Sequence, residues 1–322
     1  MIKILQIRQN MKGGTDNYCR GLQHLLSDDA ECRVLPVTDM PQRPSRLFHY
    51  CYRDEDLEPI IAEADIVHVN GYTAQGTIDA MKLAHRMGKK VVYTAHFHPF
   101  RYLGHPLAGR LFFQLKMKPA IQRYADVVTT INNEDTQFFQ SFFPRVVQIP
   151  HWNASDEVPD DDNVKRQSNM ILFVGRLDDH VKGFSQLLAL PEGRYDIHCV
   201  GWGTIECDRK DITIHTDLSF EELRRLYQQA SLLVVPSKYE AFSFVSLEAL
   251  SQGTPVLMSD RVRIADYLDG ISGYFIYRYG DTVDFLRKIP ACMGLKVDTE
   301  RIRSIFDAKA ITQKYKTLYL SL

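Results

Sequence analysis

Short, nearly continuous apolar runs recur along the chain, separated by stretches whose apolar residues repeat every three or four positions. The runs predict strands at Ile2–Ile7, Cys32–Val37, Ile66–Val69, Lys90–Thr94, Val127–Ile131 and Val146–Ile149. After the first, Tyr18, Leu22, Leu25 and Leu26 fall at helical spacing and share one face of a helix. From His151 to Asn169 the pattern stops. HWNASDEVPDDDNVKRQSN is polar and acidic with almost nothing to bury, which predicts a linker. Alternation restarts with strands at Met170–Val174, Tyr195–Val200, Ile212–His215, Leu232–Val235 and Pro255–Met258. Helices fit Phe184–Leu190, Phe220–Gln229 and Phe244–Ser251. The tail from Asp298 to Leu322 predicts a helix with Ile311, Tyr315, Leu318 and Leu322 on one face. There is no internal repeat or low-complexity stretch.

Strand–helix alternation implies parallel sheets covered on both faces, here two α/β units in tandem. At 322 residues the chain exceeds one core of typical size. In open α/β sheets ligands bind beyond the carboxyl ends of the strands, and two such sheets facing each other make a cleft. Functional residues are therefore expected just after strands.

Composition narrows the classes. Hydrophobic residues at 45% and charged residues at 25% are globular values, which excludes a disordered chain. With 39 Lys plus Arg against 40 Asp plus Glu the net charge is −1, unsuited to a nucleic-acid coat, so no nucleic-acid partner is expected. The longest span free of Asp, Glu, Lys and Arg, Ile66–Ile78, is too short for a transmembrane helix, which needs about 20 apolar residues. MIKILQIRQNMKGG enters a strand-like run directly, with no cleavage pattern of a secretory leader. The 6 cysteines show no CxxC spacing, so reduced thiols in a cytoplasmic protein are expected.

Three strand-end loops carry candidate chemistry. Lys12-Gly13-Gly14-Thr15 follows the first strand and opens a helix. Its glycines allow close backbone approach, and Thr15 can cap a helix end that attracts an anion. A plain turn is the alternative. Arg176, in Gly175-Arg176-Leu177, and Lys182 follow the first strand of the second unit, where a diphosphate needs cations. Solvated surface charges are the alternative. In PSKYEAFSFVSLEAL, Glu240 lies in a loop and Glu248 about a turn into the helix that Ser243 would cap. One carboxylate can take hydroxyls of a sugar and the other those of a ribose, with phosphate at the helix end between them. Two inconsequential exposed glutamates are the alternative.

The set GRL…KG, VGWG, PSKYEAFSFVSLEALSQGTPV and the early GGT resembles the family 4 glycosyltransferases of the GT-B fold, densely from Ile171 to Phe275. The resemblance implies two Rossmann-like parallel-sheet domains facing a central cleft. The first covers residues 1–153, a linker 154–169, and a nucleotide-sugar domain 170–299, with a terminal helix about 300–322 returning to the first domain. It implies retaining transfer from a UDP- or GDP-linked sugar, with no bound metal and no further cofactor. Residues matching Arg176 and Lys182 hold the donor diphosphate, with Gly13 and Gly14 beside it. Glu240 reads the sugar, Glu248 binds the ribose, and the backbone of Ala241, Phe242, Ser243 and Phe244 lines sugar and phosphate. The family often has glycine where Ala241 and Ser243 stand, a departure that bears on the sugar pocket. His96 matches a histidine that positions the donor sugar at the transition state. A satisfied core histidine is its alternative, as a surface histidine is for His98. His68 is expected to be structural.

From Ala80 to Ala125 there is no acidic residue, while Lys82, Arg86, Lys89, Lys90, Arg101, Arg110, Lys116, Lys118 and Arg123 interleave with Phe97, Phe100, Tyr102, Phe112 and Phe113. This suits an anionic membrane surface, contacted through Arg110, Lys116 and Lys118. An anionic acceptor or a solvated face are the alternatives. The expectation is a glycosyltransferase of bacterial surface-glycan synthesis, cytoplasmic and peripheral on the membrane's inner face, using a glycan or lipid-linked acceptor. A sugar-nucleotide epimerase of similar architecture, or a catalytically silent nucleotide-sugar-binding partner, are the competing readings.

Overall fold

The computed structural model describes residues 1–8, 14–36, 42–43, 51–71, 75–96, 98–100, 106–153, 164–178, 180–205 and 207–322. The chain divides into two compact units.

The first comprises Met1–Trp152 and Ala308–Leu322. Its sheet holds β1 (Ile2–Arg8), β2 (Ala30–Pro36), β3 (Ile66–Gly71), β4 (Lys90–Ala95), β5 (Val127–Thr130) and β6 (Val146–Gln148). The order is β2-β1-β3-β4-β5-β6, and every pairing is parallel. The strands are buried on both sides, which is why they read as unbroken apolar runs. The helix Gly14–Leu25 presses Tyr18, Cys19 and Leu22 inward. It begins at Gly14, so Thr15 lies in its first turn and is not the cap that the sequence suggests. A short antiparallel ladder joins Gln42–Arg43 to Cys51–Tyr52.

The tail is two helices, Thr299–Ile305 and Ala308–Leu320, where the periodicity suggests one. The first starts on an Asp298 cap and belongs to the second unit. The second joins the first unit, burying Ile311, Tyr315, Leu318 and Tyr319. The Tyr18 and Tyr315 hydroxyls hydrogen-bond at 2.8 Å, and Tyr319 Oη lies 2.7 Å from His68 Nδ1.

The second unit, Asn153–Asp307, contains β7 (Met170–Val174), β8 (Asp196–Val200), β9 (Ile212–His215), β10 (Leu232–Val235), β11 (Val256–Ser259) and β12 (Tyr274–Tyr277). The parallel order is β9-β8-β7-β10-β11-β12. Strand β12 and the helix Thr282–Met293 are additions to the sequence reading. Of the polar stretch after His151, residues 154–163 lie outside the described residues. Gln167 already donates its amide to Gln229 O at 2.7 Å, so the second unit takes up the chain before β7.

The strand order reverses direction from β7, with β8 on one side and β10 on the other. The loops after β7 and β10 therefore flank a topological switch point, the usual ligand crevice of such sheets.

Candidate active site

The two loops at this switch point are stitched together. Lys238 donates its amide to Val181 O at 2.7 Å, and Gln186 Nε2 donates to Pro236 O at 3.3 Å. Gly183 sits between them at φ 76°, where an added Cβ would run into the Pro236 carbonyl. Only glycine permits this approach. The result is a direct contact between two predicted site residues: Lys182 Nζ lies 2.9 Å from Glu240 Oε1. Ser237 Oγ donates to the same oxygen at 2.6 Å. The carboxylate is nearly covered, with 9% of the side chain exposed, whereas Lys182 keeps 32%. Arg176 lies on the loop after β7, its guanidinium 5.3 Å from the ring centroid of Trp202. Trp202 is 60% exposed on the loop after β8. Gly201 lets that loop close onto the loop after β7, since a side chain there would strike Gly175 O.

Glu248 is half-buried, and Tyr227 Oη donates to its Oε2 at 2.8 Å. Burial pushes the Glu248 carboxyl above its ordinary range, and the Tyr227 hydrogen bond partly offsets this. Ala241, Phe242 and Ser243 are buried. The Phe242 ring packs 5.5 Å from Phe306 and 5.9 Å from Phe244, so this stretch has only its backbone to offer a ligand.

Ser243 caps the helix Phe244–Ser251 as predicted, but at φ 124° and ψ 91°, in territory that side chains rarely enter. Such a backbone costs about 1–3 kcal/mol. Its hydroxyl returns part of that by bonding Ser246 Oγ at 2.8 Å and accepting from Ser246 N at 3.4 Å. Ser243→Gly is expected to stabilise the protein by about 1 kcal/mol, because strain is removed and only a few tenths of capping are lost. Ser243→Ala is expected to destabilise by about 1 kcal/mol, keeping the strain and losing the cap. Denaturant titration of both variants checks this; a glycine variant less stable than the parent would show that no strain is stored there.

In the first unit His96 follows β4, fully enclosed. Its Nε2 lies 3.0 Å from Asn70 Oδ1, at the end of β3. Asn70 Nδ2 donates to Gln6 Oε1 at 3.3 Å and His68 O at 3.2 Å, which fixes the amide's orientation. His96 Nε2 is therefore the protonated nitrogen, leaving Nδ1 as an acceptor. Burial pushes the His96 pKa down to about 3. The Tyr18 ring is 4.7 Å away edge-on, and His151 stacks at 6.2 Å. His68 bonds Tyr319 and Thr94, tying sheet to tail. His98 is buried, accepting from Phe100 N at 3.2 Å, and is not a surface histidine. Gly14 is exposed at its helix start, while Lys12 and Gly13 lie outside the described residues.

The basic segment is less uniform than its sequence. Arg86 pairs with Asp54 and Glu58 at 3.1 Å, and Lys90 with Asp126 at 3.9 Å. Arg110, Lys116 and Lys118 lie on the helical stretch 106–124, the first two exposed. Phe113 is completely buried and Phe112 packs against the same core, so neither faces outward. Arg101, Phe97 and Tyr102 lie outside the described residues.

The sequence reading missed the residues that hold these groups: Ser237 on Glu240, Tyr227 on Glu248, Asn70 on His96, and Trp202 beside Arg176. Trp202 left one signal, a large aromatic between two glycines just after a strand.

Comparison with known proteins gives the class first. Over the whole chain the structure superposes on a sucrose-phosphate synthase of Thermosynechococcus elongatus with a TM-score of 0.74 at 18% identity, covering 100% of this chain and 99% of that one. The HepE protein of Anabaena, solved with UDP-glucose, gives 0.68 at 16% identity, covering 100% of both chains. The fold is GT-B, built of two parallel six-stranded α/β units. In sequence, residues 168–294 match the family of glycosyl transferases group 1. A GDP-mannose:cellobiosyl-diphosphopolyprenol alpha-mannosyltransferase of Xanthomonas oryzae is 25% identical over 219 residues, 62% of this chain. The chain spans 57% of the length of that relative. The protein is thus a relative of the glycosyltransferases, and its second unit carries the family match.

Proposed function

We propose that this protein is a retaining, metal-independent glycosyltransferase of family 4. It moves a sugar from a UDP- or GDP-linked donor to a lipid-linked or polysaccharide acceptor in bacterial surface-glycan synthesis, at the cytoplasmic face of the membrane. The observation that carries the reading is the Lys182–Glu240 contact at the switch point; Arg176 lies on the loop after β7, over the Trp202 ring. A cation and a carboxylate held together meet the two halves of a nucleotide sugar, its charged diphosphate and its hydroxyl-rich ring. The names of the relatives support this choice of donor, one a GDP-mannose enzyme and another solved with UDP-glucose.

On this reading the leaving diphosphate gains negative charge as the glycosidic bond breaks, and Arg176 and Lys182 stabilise it. Glu240 takes sugar hydroxyls, and Glu248, held by Tyr227, takes those of the ribose. His96 acts as a neutral hydrogen-bonding ring that positions the sugar. Its depressed pKa fits a role without proton transfer. No described helix is long and apolar enough to cross a membrane.

A panel of nucleotide sugars, each with and without membrane extract, tests the reading. Transfer of labelled sugar is the expected result. An epimerised donor, or binding without turnover, would replace it by the epimerase or the silent-partner reading. Turnover is expected to survive EDTA. Loss on chelation with recovery on adding magnesium or manganese would overturn metal independence.

A further inference from the structure

The helical stretch 106–124 presents a face that the mechanism does not use. Pro106–Phe112 and Lys118–Tyr124 are α-helical, joined without a break by a π-helical turn at Phe113–Met117. Phe113, Met117, Ala120 and Ile121 bury one side. On the other, Leu107, Leu111 and Leu115 stand 77%, 60% and 69% exposed.

Leu107 and Leu111 lie on the α-helical part, and the π turn brings Leu115 into line with Leu111. Residues four apart on an α-helix drift by about 40° around its axis. A wider π turn rotates less per residue, so it absorbs that drift and keeps Leu115 in line with Leu111. Three leucines thus form one ridge. Cations flank it: the Arg110 guanidinium lies over the Phe100 ring at 5.4 Å and the Lys118 ammonium over Phe142 at 4.9 Å. Lys116 and Arg123 are exposed. Among the described residues none of these four is paired with a carboxylate, in contrast to Arg86 and Lys90.

We propose that this helix lies in the interface of an anionic bilayer, with the leucine ridge in the acyl boundary and the four cations among anionic headgroups. The proposal deepens the reading of a membrane-held acceptor and rests on it only for its purpose. An apolar ridge bordered by basic residues is the signature of such helices. A second copy fits less well, because a two-fold contact would set these cations against their own duplicates with no acid between them. Nucleic acid would leave the leucines without a role.

The test is co-sedimentation with phosphatidylcholine vesicles, with and without phosphatidylglycerol, in the absence of any nucleotide sugar. The full chain is expected to bind the anionic vesicles, more weakly at high salt. Leu107/Leu111/Leu115→Ser changes only exposed positions; its circular dichroism spectrum and melting temperature should match the parent's. Its partitioning is expected to fall by about tenfold or more. As a second readout, Leu111→Trp in a Trp202→Phe background should shift its emission to the blue on anionic vesicles. Undiminished binding by the serine variant, or an unshifted emission from the introduced indole, would overturn insertion. No vesicle binding at low salt, or a dimer that the serine variant dissolves, would overturn the membrane as occupant. Vesicle binding without sugar transfer would support this proposal while removing the enzymatic reading.

Discussion

Lys182→Ala is expected to weaken binding of the nucleotide-sugar donor by about 10- to 100-fold while moving the melting temperature little. The ammonium lies 2.9 Å from Glu240 and, on this reading, also meets the donor diphosphate. A hydrogen bond to a charged group contributes about 1.5–3 kcal/mol, and each 1.4 kcal/mol is a tenfold change in affinity. Stability responds less, because Lys182 is about one-third exposed and the covered Glu240 carboxylate keeps its hydrogen bond from Ser237. Glu240 would keep Ser237, and it would lose the partner that fixes its direction, so recognition of the sugar should suffer along with that of the diphosphate. Lys182→Arg should restore the charge and only part of the affinity, since a planar fork does not reproduce a compact ammonium between carboxylate and phosphate. Titration calorimetry with the nucleoside diphosphate and with the intact donor measures both effects. Unchanged affinity for both ligands in the alanine variant would remove Lys182 from the diphosphate site.

The strands were legible because a parallel sheet buries both faces, so Met170–Val174 or Leu232–Val235 has no polar position to interrupt it. Tyr274–Tyr277 escaped for the converse reason. It is an edge strand of β-forming residues left partly exposed, with no neighbouring pattern to mark it. The break in the tail was hidden because both of its helices carry helical periodicity, and Asp307 between them looks like any polar helix position. In the site, charge and position relative to strands pointed to Lys182 and Glu240. Their meeting, 58 residues apart, depends on two loops closing through Gly183, which no local pattern encodes. The positive φ of Ser243 was equally silent, since serine is an ordinary cap. The run of basic and aromatic residues did not say which way Phe112 and Phe113 face; the structure turns them inward and Leu107, Leu111 and Leu115 out.

Lowering the pH from 7 to 5 is expected to destabilise the first unit by on the order of 4 kcal/mol. Burial lowers the pKa of His68 and of His96 to about 3 each. Repulsion between the two rings, were both protonated, adds to the effect of burial at His68, and burial lowers His151 in the same direction. The sign follows from proton counts. Above the unfolded value near 6.5 both states are neutral and there is no penalty. Between 6.5 and about 3 the unfolded histidines bind protons that the folded ones refuse, so stability falls as the pH falls; below about 3 the loss levels off. At pH 5 each of the two contributes about 2 kcal/mol of this loss, and His151 adds to it. A loss of that size is a large fraction of the 5–15 kcal/mol that holds a typical domain. Asp211 and Asp284, held low by their cationic partners, lose their contributions only at more acid pH. Glu248 works in the opposite direction, its raised carboxyl taking a proton more readily in the folded second unit. Thermal melts across this window, with His68→Gln expected to flatten the slope by one histidine, measure the effect. The same neutral ring should leave turnover without a His96 inflection between pH 5 and 8. A melting temperature that stays level from pH 7 to 5, or a His96 resonance titrating near 6.5, would mean that the ring is open to water and free to take a proton.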